Sequence, residues 1–198
     1  MNGYRRRIFR EMSDTLASIG PLNSVLDVGS GDGWFAMSVK SLGICDKITA
    51  VDVKIRPECY HPVELYDGDR LPFRDGEFDL VYAVDVVHHA PKPGKLLDEM
   101  IRCSRRFLLL KDHTWQTELG RLVLLVRDEI GNRPKGVRCL YNFQRGWEWD
   151  RVMLDNGMER VQLKHPLQCH AGPLGGFANN NEFLSVWQSP ERLRTSDG

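Results

Sequence analysis

The chain has 198 residues, in which 27 Lys and Arg balance 27 Asp and Glu, so its formal net charge is zero. This length suffices for one α/β domain with a sizeable core and leaves little room for a second. Zero net charge argues against a nucleic-acid partner, because proteins that bind nucleic acids carry an excess of basic residues that contact the phosphates. No apolar run approaches the roughly 18 residues of a membrane span, and no signal peptide pattern opens the chain, so we expect a cytoplasmic protein without a membrane partner.

The five cysteines form no CxxC pair and are odd in number, which favours reduced thiols. Cys169 and His170 are adjacent, but no second pair stands at the spacing of a zinc site. We therefore expect no bound metal.

Helices and strands alternate over the first 113 residues. Apolar residues at helical spacing predict an N-terminal helix over 4–19, and further helices are expected after Trp34 and over 93–103. Strand patterns occur at 22–28, 47–52, 63–66, 78–84 and 106–110. This alternation predicts an α/β fold of the Rossmann-like, doubly wound kind, with a mostly parallel sheet and helices on both faces.

The pattern changes after residue 113. Helices are expected over 117–130 and 146–156, loop-like sequence fills 131–145, and two late strands follow at 158–165 and 182–188. We interpret 114–145 as an insertion that forms a lid, because it is too long for a connector. The expected organisation is a single domain over 1–189 with a disordered tail at 190–198.

The most informative motif lies between the first strand and the following helix. Asp27 stands inside the strand, Gly29, Gly31 and Gly33 follow at alternate positions, and the second strand ends in Asp52. Glycines permit a close approach of a ligand to the main chain, and the second acidic residue is placed to accept from ribose hydroxyls. The motif predicts a nucleoside-binding turn.

The spacing of the glycines does not by itself identify which nucleoside the turn binds. Trp34 occupies the position of the third glycine in a dinucleotide fingerprint, although the shifted register from Gly31 through Gly33 to Ala36 satisfies a looser form. Asp27 adds a negative charge near the turn, which suits a cationic ligand better than a pyrophosphate. An NAD-dependent oxidoreductase therefore stays an alternative.

Three segments carry a resemblance to a known family. VLDVGSGDG at 25–33, DRLPF at 69–73 and FDLV at 78–81 resemble motifs of the class I S-adenosylmethionine (SAM)-dependent methyltransferases, over about residues 22–113. The resemblance implies a seven-stranded sheet with the last strand antiparallel. It also implies transfer of a methyl group from SAM to an oxygen, nitrogen or carbon nucleophile of a small molecule, leaving S-adenosylhomocysteine. A relative that binds SAM without methylating, or that is catalytically inactive, stays open.

The resemblance assigns cofactor-binding roles to individual positions. It places Asp27 and the glycine turn beside the methionyl part of SAM, Asp52 on the ribose, and the 69–71 segment on the adenine. The positions concerned are Asp27, Gly29, Ser30, Gly31, Asp52, Val53, Asp69, Arg70, Leu71 and Asp85. In this assignment Asp69 accepts from the adenine amine and Arg70 or Leu71 offers a backbone donor, while the alternative is a type I turn with a solvated Asp69. Asp79 is expected to be structural and to buttress the glycine turn.

Titratable residues follow two of the predicted central strands. Asp85, His88 and His89 come after the strand at 78–84, and His113 comes after the strand at 106–110. Imidazole titrates near neutral pH, so His113 is the first candidate for a general base and His89 the second, with Asp85 as a further catalytic candidate. Alternatively, the histidine pair is a common feature at the rim of this fold and has no substrate-specific role.

The methyl acceptor is expected in a pocket built from the second half of the chain. The candidate substrate-binding residues are His88, Asp112, Trp115, Arg133, Tyr141 and Trp147. Basic residues at 133, 135 and 138 favour an anionic acceptor. The alternatives are a strand-end turn with a helix cap at 112–115 and an ordinary core position for Trp147.

Overall fold

A central β-sheet carries helices on both faces in the computed structural model, which describes residues 3–133, 139–172 and 175–190. The strands are β1 (Leu22–Val28), β2 (Cys45–Asp52), β3 (Glu64–Leu65), β4 (Phe78–Val84), β5 (Ser104–Trp115), β6 (Gln144–Arg145), β7 (Glu159–Lys164) and β8 (Glu182–Gln188). The helices are α1 (Gly3–Ile19), α2 (Trp34–Ser41), α3 (Pro93–Cys103), α4 (Glu118–Asn132), α5 (Glu148–Asp155) and α6 (Gly175–Asn179), with a 3₁₀ turn at Val87–His89. Except for Pro190, the predicted tail lies outside the described residues.

The strand order confirms the predicted doubly wound sheet. The strands lie in the order β3-β2-β1-β4-β5-β8-β7, with β8 antiparallel to both β5 and β7 and the first five strands parallel. The strand order reverses between β1 and β4, because the chain adds β2 and β3 on one side of β1 and then β4 on the other. This is the switch point where open α/β sheets bind ligands. The short strand β6 adds a parallel pair at the far end of β5, in a region that the sequence predicts to be loop.

Two apolar layers cover the sheet. On one face, α1 and α2 pack against the sheet through Ile8, Met12, Leu16 and Ala36, and on the other face α3 and α5 pack through residues such as Met100 and Met153. Because both faces are covered, the middle parts of the central strands are continuously apolar rather than alternating, as over residues 80–84 and 107–110.

Trp34 begins α2 and is buried against α1. Its ring meets Phe9 and Phe35 edge to face, with centroid separations of 5.8 and 5.0 Å. Aromatic bulk therefore fills the place where a dinucleotide fingerprint has its third glycine.

Two sequence expectations need correction. Strand β5 continues to Trp115, beyond the predicted end at residue 110, because a polar run is buried along it rather than leaving the sheet. Asp79 does not buttress the glycine turn: it lies at the opposite end of the sheet, where it accepts from the Asn23 N–H at 2.7 Å and from Arg105 at 2.7 Å.

All five cysteines are present as thiols. Across residues 3–133, 139–172 and 175–190, no helix combines the length and the apolar character that crossing a bilayer requires.

The packing of α1 can be measured by truncation. Leu16 is fully buried between α1 and the sheet, so Leu16→Ala should lower the free energy of unfolding by about 2–5 kcal/mol. Leu154→Ala on α5 is the matched control, because that side chain is exposed and its loss should cost far less. Urea unfolding followed by circular dichroism measures both, and equal costs would contradict the placement of α1.

Candidate active site

The glycine turn after β1 is fastened to β2 and leaves one face open. The N–H groups of Gly29 and Ser30 donate to the Val51 carbonyl at 2.8 and 3.0 Å. Gly29 has φ +71°, and a Cβ at this position would meet Val86 at 2.4 Å. Gly31 has φ +61°, and nothing lies within 4 Å of its Cβ position. Glycine is thus required by both strain and contact at Gly29, while Gly31 presents bare backbone to open space.

Asp52 lies beside this turn, as the spacing predicts. Its Oδ2 accepts from the Gly31 N–H at 2.7 Å and its Oδ1 accepts from the Lys54 N–H at 3.0 Å. Asp52, Gly29 and Gly31 line a cavity of about 530 Å³, which we call the Asp52 cavity. Its wall also includes Val53, Tyr66, Asp67, Gly68, Asp85, Val86 and His89.

The segment at 69–71 does not line the Asp52 cavity. Asp69 is exposed and pairs with Lys95, and the Arg70 N–H donates to Asp67 Oδ1 at 3.0 Å. The Leu71 N–H donates to Glu99 Oε2 at 3.0 Å. The backbone donors predicted here already have carboxylate partners, and the acidic residue on the cavity wall is Asp67, two positions earlier.

A second cavity of about 370 Å³ adjoins the first. The two cavities share Gly29, Gly31, Asp85 and His89 in their walls. We call the second the histidine cavity, because four imidazoles line it. Its polar wall includes Tyr4, Asp27, Ser30, His88, His113, Arg127, Asp128 and His170.

Asp27 is a buried carboxyl group in the wall of the histidine cavity. Burial is the main cause that raises its pKa, to about 7, and the nearby Asp52 and Asp32 raise it further, whereas the neighbouring Tyr82 hydroxyl lowers it. Asp27 is therefore poised between its two protonation states near neutral pH. A cation placed next to it would favour the ionised form.

Asp85 stands where β4 ends, in a strained backbone conformation. Its φ is +57°, which is rare for a residue with a side chain. Its N–H donates to the Lys111 carbonyl at 2.8 Å, and its carboxylate accepts from Lys111 and from the Tyr4 hydroxyl at 3.0 Å. These contacts hold the carboxylate at the junction of the two cavities.

Lys111 is fully buried at the centre of a charged cluster. Its Nζ donates to Asp85, to Glu182 Oε2 at 2.6 Å and to Tyr4 Oη at 2.6 Å. Glu182 is also fully buried and accepts from Arg127 at 2.8 Å and from His170 at 2.6 Å. Burial lowers the pKa of Lys111, but the carboxylates of Asp85 and Glu182 outweigh burial and raise the pKa above its ordinary value.

The electrostatics around His113 do not suit the predicted general base. Burial lowers its pKa, but the carboxylates of Glu182 and Asp85 raise it, against the charge of Lys111, and the result is a pKa of about 9. Its Nε2 lies 3.3 Å from Glu182 Oε1. A base must begin deprotonated, so a His113 that is protonated at neutral pH acts as a hydrogen-bond donor or cation.

His88 is held in one orientation by its neighbours. Its Nδ1 lies 2.5 Å from Asp112 Oδ1, and Asp112 Oδ2 accepts from the Val87 N–H at 3.0 Å. The ring of Phe143 stacks on His88 with a centroid separation of 4.8 Å. His89 follows on the same 3₁₀ turn, and burial, together with the charge of His88, lowers its pKa to about 4.

A family model described as "Methyltransferase domain" matches residues 3–169 of this chain. The chain belongs to that family. The match confirms the methyltransferase family to which the sequence motifs point. It also covers the glycine turn, Asp52 and the histidine cavity's central residues.

Individual relatives are similar in sequence to part of this chain. The sarcosine/dimethylglycine N-methyltransferase of Halorhodospira halochloris is 30% identical over 112 residues, which cover 50% of this chain and 40% of that protein. An uncharacterized methyltransferase of Mycobacterium leprae (strain Br4923) is 29% identical over 122 residues, covering 52% and 45%. The chain thus spans less than half the length of these relatives.

Solved methyltransferase structures share the fold. The N-methyltransferase NodS from Bradyrhizobium japonicum WM9, in complex with S-adenosyl-l-homocysteine, superposes with a TM-score of 0.61 at 15% identity. That alignment covers 96% of this chain and 89% of NodS. A putative methyltransferase from Bacillus halodurans C-125 gives a TM-score of 0.63 at 15% identity, covering 89% and 98%.

Four predicted substrate-binding residues of this methyltransferase do not line the histidine cavity. Arg133 is exposed and pairs with Glu129, and the Tyr141 hydroxyl also bonds Glu129. Trp115 donates to the Phe143 carbonyl at 3.2 Å, and Trp147 packs against Phe183 and His165. Asp112 is buried behind His88, so of the predicted set His88 alone reaches the cavity wall.

Sequence reasoning missed several residues that the fold brings to the site. They are Tyr4, Asp67, Arg127, Asp128, His170 and Glu182, together with Lys111 as the central cation. A charged residue inside a buried strand pattern is a detectable signal for Lys111 and Glu182, because such a charge needs a partner. Tyr4, Arg127 and Asp128 lie on helices, where polar residues normally face solvent, so the sequence carries no comparable signal for them.

The buried cluster predicts a large cost for removing its cation. Lys111→Met leaves Asp85 and Glu182 with an unbalanced charge, so the free energy of unfolding should fall by about 3–5 kcal/mol. Lys95→Met is the matched control, because its pair with Asp69 is exposed and is worth at most about 1 kcal/mol. Denaturant unfolding of the two variants distinguishes the sites, and similar small costs would contradict a tightly paired Lys111.

Proposed function

We propose that this chain transfers the sulfonium methyl group of SAM to an oxygen, nitrogen or carbon nucleophile of a small molecule bound in the histidine cavity. The observation that carries this proposal is the junction of the two cavities at Gly29, Gly31, Asp85 and His89. A methyl donor bound along the glycine turn would present its reactive centre where an acceptor in the second cavity meets it.

The residues present fit the donor. The space over Gly31, where nothing lies within 4 Å of a Cβ position, admits a ligand against the main chain. Asp52 faces the first cavity with carboxylate lone pairs suited to ribose hydroxyls, and buried Asp27 suits an ammonium group. When bound, SAM supplies an electrophilic methyl group on a positively charged sulfur.

The protein's main contribution is alignment. Methyl transfer is an in-line displacement, which gains most from holding the nucleophile at near-attack distance and from excluding water. His89 and Asp85 lie at the junction, and His88 lines the histidine cavity beside them, so these side chains are placed to orient an acceptor. A base is needed only where the acceptor must lose a proton.

Helix α4 closes one side of the acceptor site. Leu124, Arg127 and Asp128 from this helix line the histidine cavity. This supports the proposal that the 114–145 insertion serves as a lid, within a single domain over residues 1–189.

Calorimetric titration with SAM, S-adenosylhomocysteine and NAD tests the donor. We expect both adenosyl ligands to bind with one site per chain and NAD to show no heat of binding. Binding of NAD alone would refute the proposal that the chain uses SAM as a methyl donor. Binding of SAM without transfer to any acceptor would favour a catalytically inactive relative.

Asp52→Ala should weaken SAM binding. Loss of hydrogen bonds to a charged acceptor costs about 1.5–3 kcal/mol, which corresponds to roughly a 10- to 100-fold rise in Kd. Asp46→Ala is the matched control, because Asp46 lies on the same strand with an exposed side chain. Unchanged SAM affinity in Asp52→Ala would contradict the ribose role.

The affinity for SAM should depend on pH through Asp27. Its pKa of about 7 means that the carboxyl group takes up a proton as the pH falls from 7.5 to 5.5, whereas the α-amino group of SAM is mostly protonated throughout this range. The charge attraction is lost on protonation, so Kd should rise about tenfold between these pH values. In Asp27→Asn the affinity should be low and nearly constant with pH, and a wild-type slope in that variant would contradict the assignment.

A panel of radiolabelled transfer assays addresses the acceptor. The panel should hold amines, phenols and both neutral and anionic acids. The anionic class deserves inclusion because the sequence suggests it, although Arg133 pairs with Glu129 and residues 135 and 138 lie outside the described residues.

A further inference from the structure

Three ligand atoms converge in the wall of the histidine cavity. The Nε2 atoms of His88 and His89 come from the 3₁₀ turn after β4, and Oδ1 of Asp128 comes from α4. Oδ1 lies 4.0 Å from His88 Nε2 and 3.7 Å from His89 Nε2. These distances exceed those of a direct hydrogen bond, and one donor atom from each residue lies within 4.8 Å of the others.

The orientation of His88 matches that of a metal ligand. Asp112 accepts a hydrogen bond from Nδ1 at 2.5 Å, which places the ring proton on Nδ1 and leaves the lone pair on Nε2, the nitrogen 4.0 Å from Asp128 Oδ1. Histidines that bind metals almost always make such a second bond to a carboxylate or carbonyl, because it fixes the tautomer and the ring plane. Phe143, stacked on the other side of the ring, restricts its rotation.

We propose that His88, His89 and Asp128 bind a divalent transition-metal ion whose remaining coordination positions face the histidine cavity. Two donors about 2.1 Å from such an ion at a tetrahedral angle lie about 3.4 Å apart. Binding would therefore shorten the two distances from Asp128 Oδ1 by about 0.6 and about 0.3 Å. The open positions would take an oxygen or nitrogen donor of the methyl acceptor. That second part rests on the proposed function, whereas ion binding itself does not.

The donor set selects the class of metal. Two imidazoles and one carboxylate suit Zn²⁺, Fe²⁺, Co²⁺ or Mn²⁺, while Mg²⁺ and Ca²⁺ prefer oxygen ligands alone. We place the ion at this donor set rather than at the neighbouring Glu182. Glu182 already faces the cations of Lys111 and Arg127, and these charges repel a dication.

Cobalt binding tests the site directly. Co²⁺ titrated into the whole chain without SAM should bind at one ion per chain and produce visible absorption bands, and Zn²⁺ but not Mg²⁺ should displace it. Asp128→Asn and His89→Gln should each raise the Kd for Co²⁺ at least tenfold, and Asp112→Asn should raise it about 10- to 100-fold through loss of the second-shell bond. Thermal unfolding confirms that each variant is folded before titration.

His170→Gln is the matched control for metal affinity. His170 lines the same cavity but bonds Glu182, so its variant should bind Co²⁺ like the unmodified chain. Absence of stoichiometric binding, wild-type affinity in both Asp128→Asn and His89→Gln, or an equal loss in His170→Gln would each overturn the proposal.

A separate measurement tests whether the bound ion can coordinate the methyl acceptor. Acetohydroxamate, an oxygen-donor probe, should alter the visible spectrum of bound Co²⁺ if coordination positions open into the cavity, and an unchanged spectrum would overturn that part of the proposal. SAM calorimetry on ion-loaded and ion-stripped protein should give similar affinities. Failure of the methyltransferase proposal would appear in that calorimetry, whereas failure of the metal proposal appears in the cobalt titration.

Discussion

The candidate site depends on one buried cation. Lys111 is taken wholly out of water, which is costly unless its charge is balanced and its three donors are satisfied. Asp85, Glu182 and the Tyr4 hydroxyl meet that requirement, and they come from β4's end, from β8 and from α1. The same contacts hold Asp85 at φ +57°, at the junction of the two cavities. A charge that must be satisfied thus ties four distant segments into one wall.

The sheet's topology explains why these groups meet. Parallel strands β1, β4 and β5 end at one edge, where they deliver Asp27, Asp85 and His113. Strand β8 runs the other way, so its first residue lies at that edge, and Glu182 pairs with His113 in the register. Antiparallel placement of the last strand therefore supplies the acidic partner that the buried cations need.

The parts predicted best are those whose chemistry is local. The glycine turn and Asp52 lie together because a strand, a tight turn and a neighbouring parallel strand are enough to place them. The adenine role of Asp69 stays a prediction. The turn places Asp67 rather than Asp69 on the cavity wall, and the N–H groups that follow donate to carboxylates. Arg133 was chosen for its charge, but Glu129 lies one helical turn away and pairs with it. Local partners decide such positions, and spacing does not reveal them.

By itself, the sequence determined the alternation of elements, the doubly wound class, the methyltransferase family and the glycine turn beside Asp52, because each depends on contiguous residues with short-range physical requirements. Only the tertiary structure decided which residues line the histidine cavity, where we propose that the methyl acceptor binds. Tyr4, Asp128 and Glu182 lie up to 178 positions apart and meet through helix packing and strand register. The protonation of His113 was likewise a tertiary outcome, since the carboxylates that raise its pKa come from other strands.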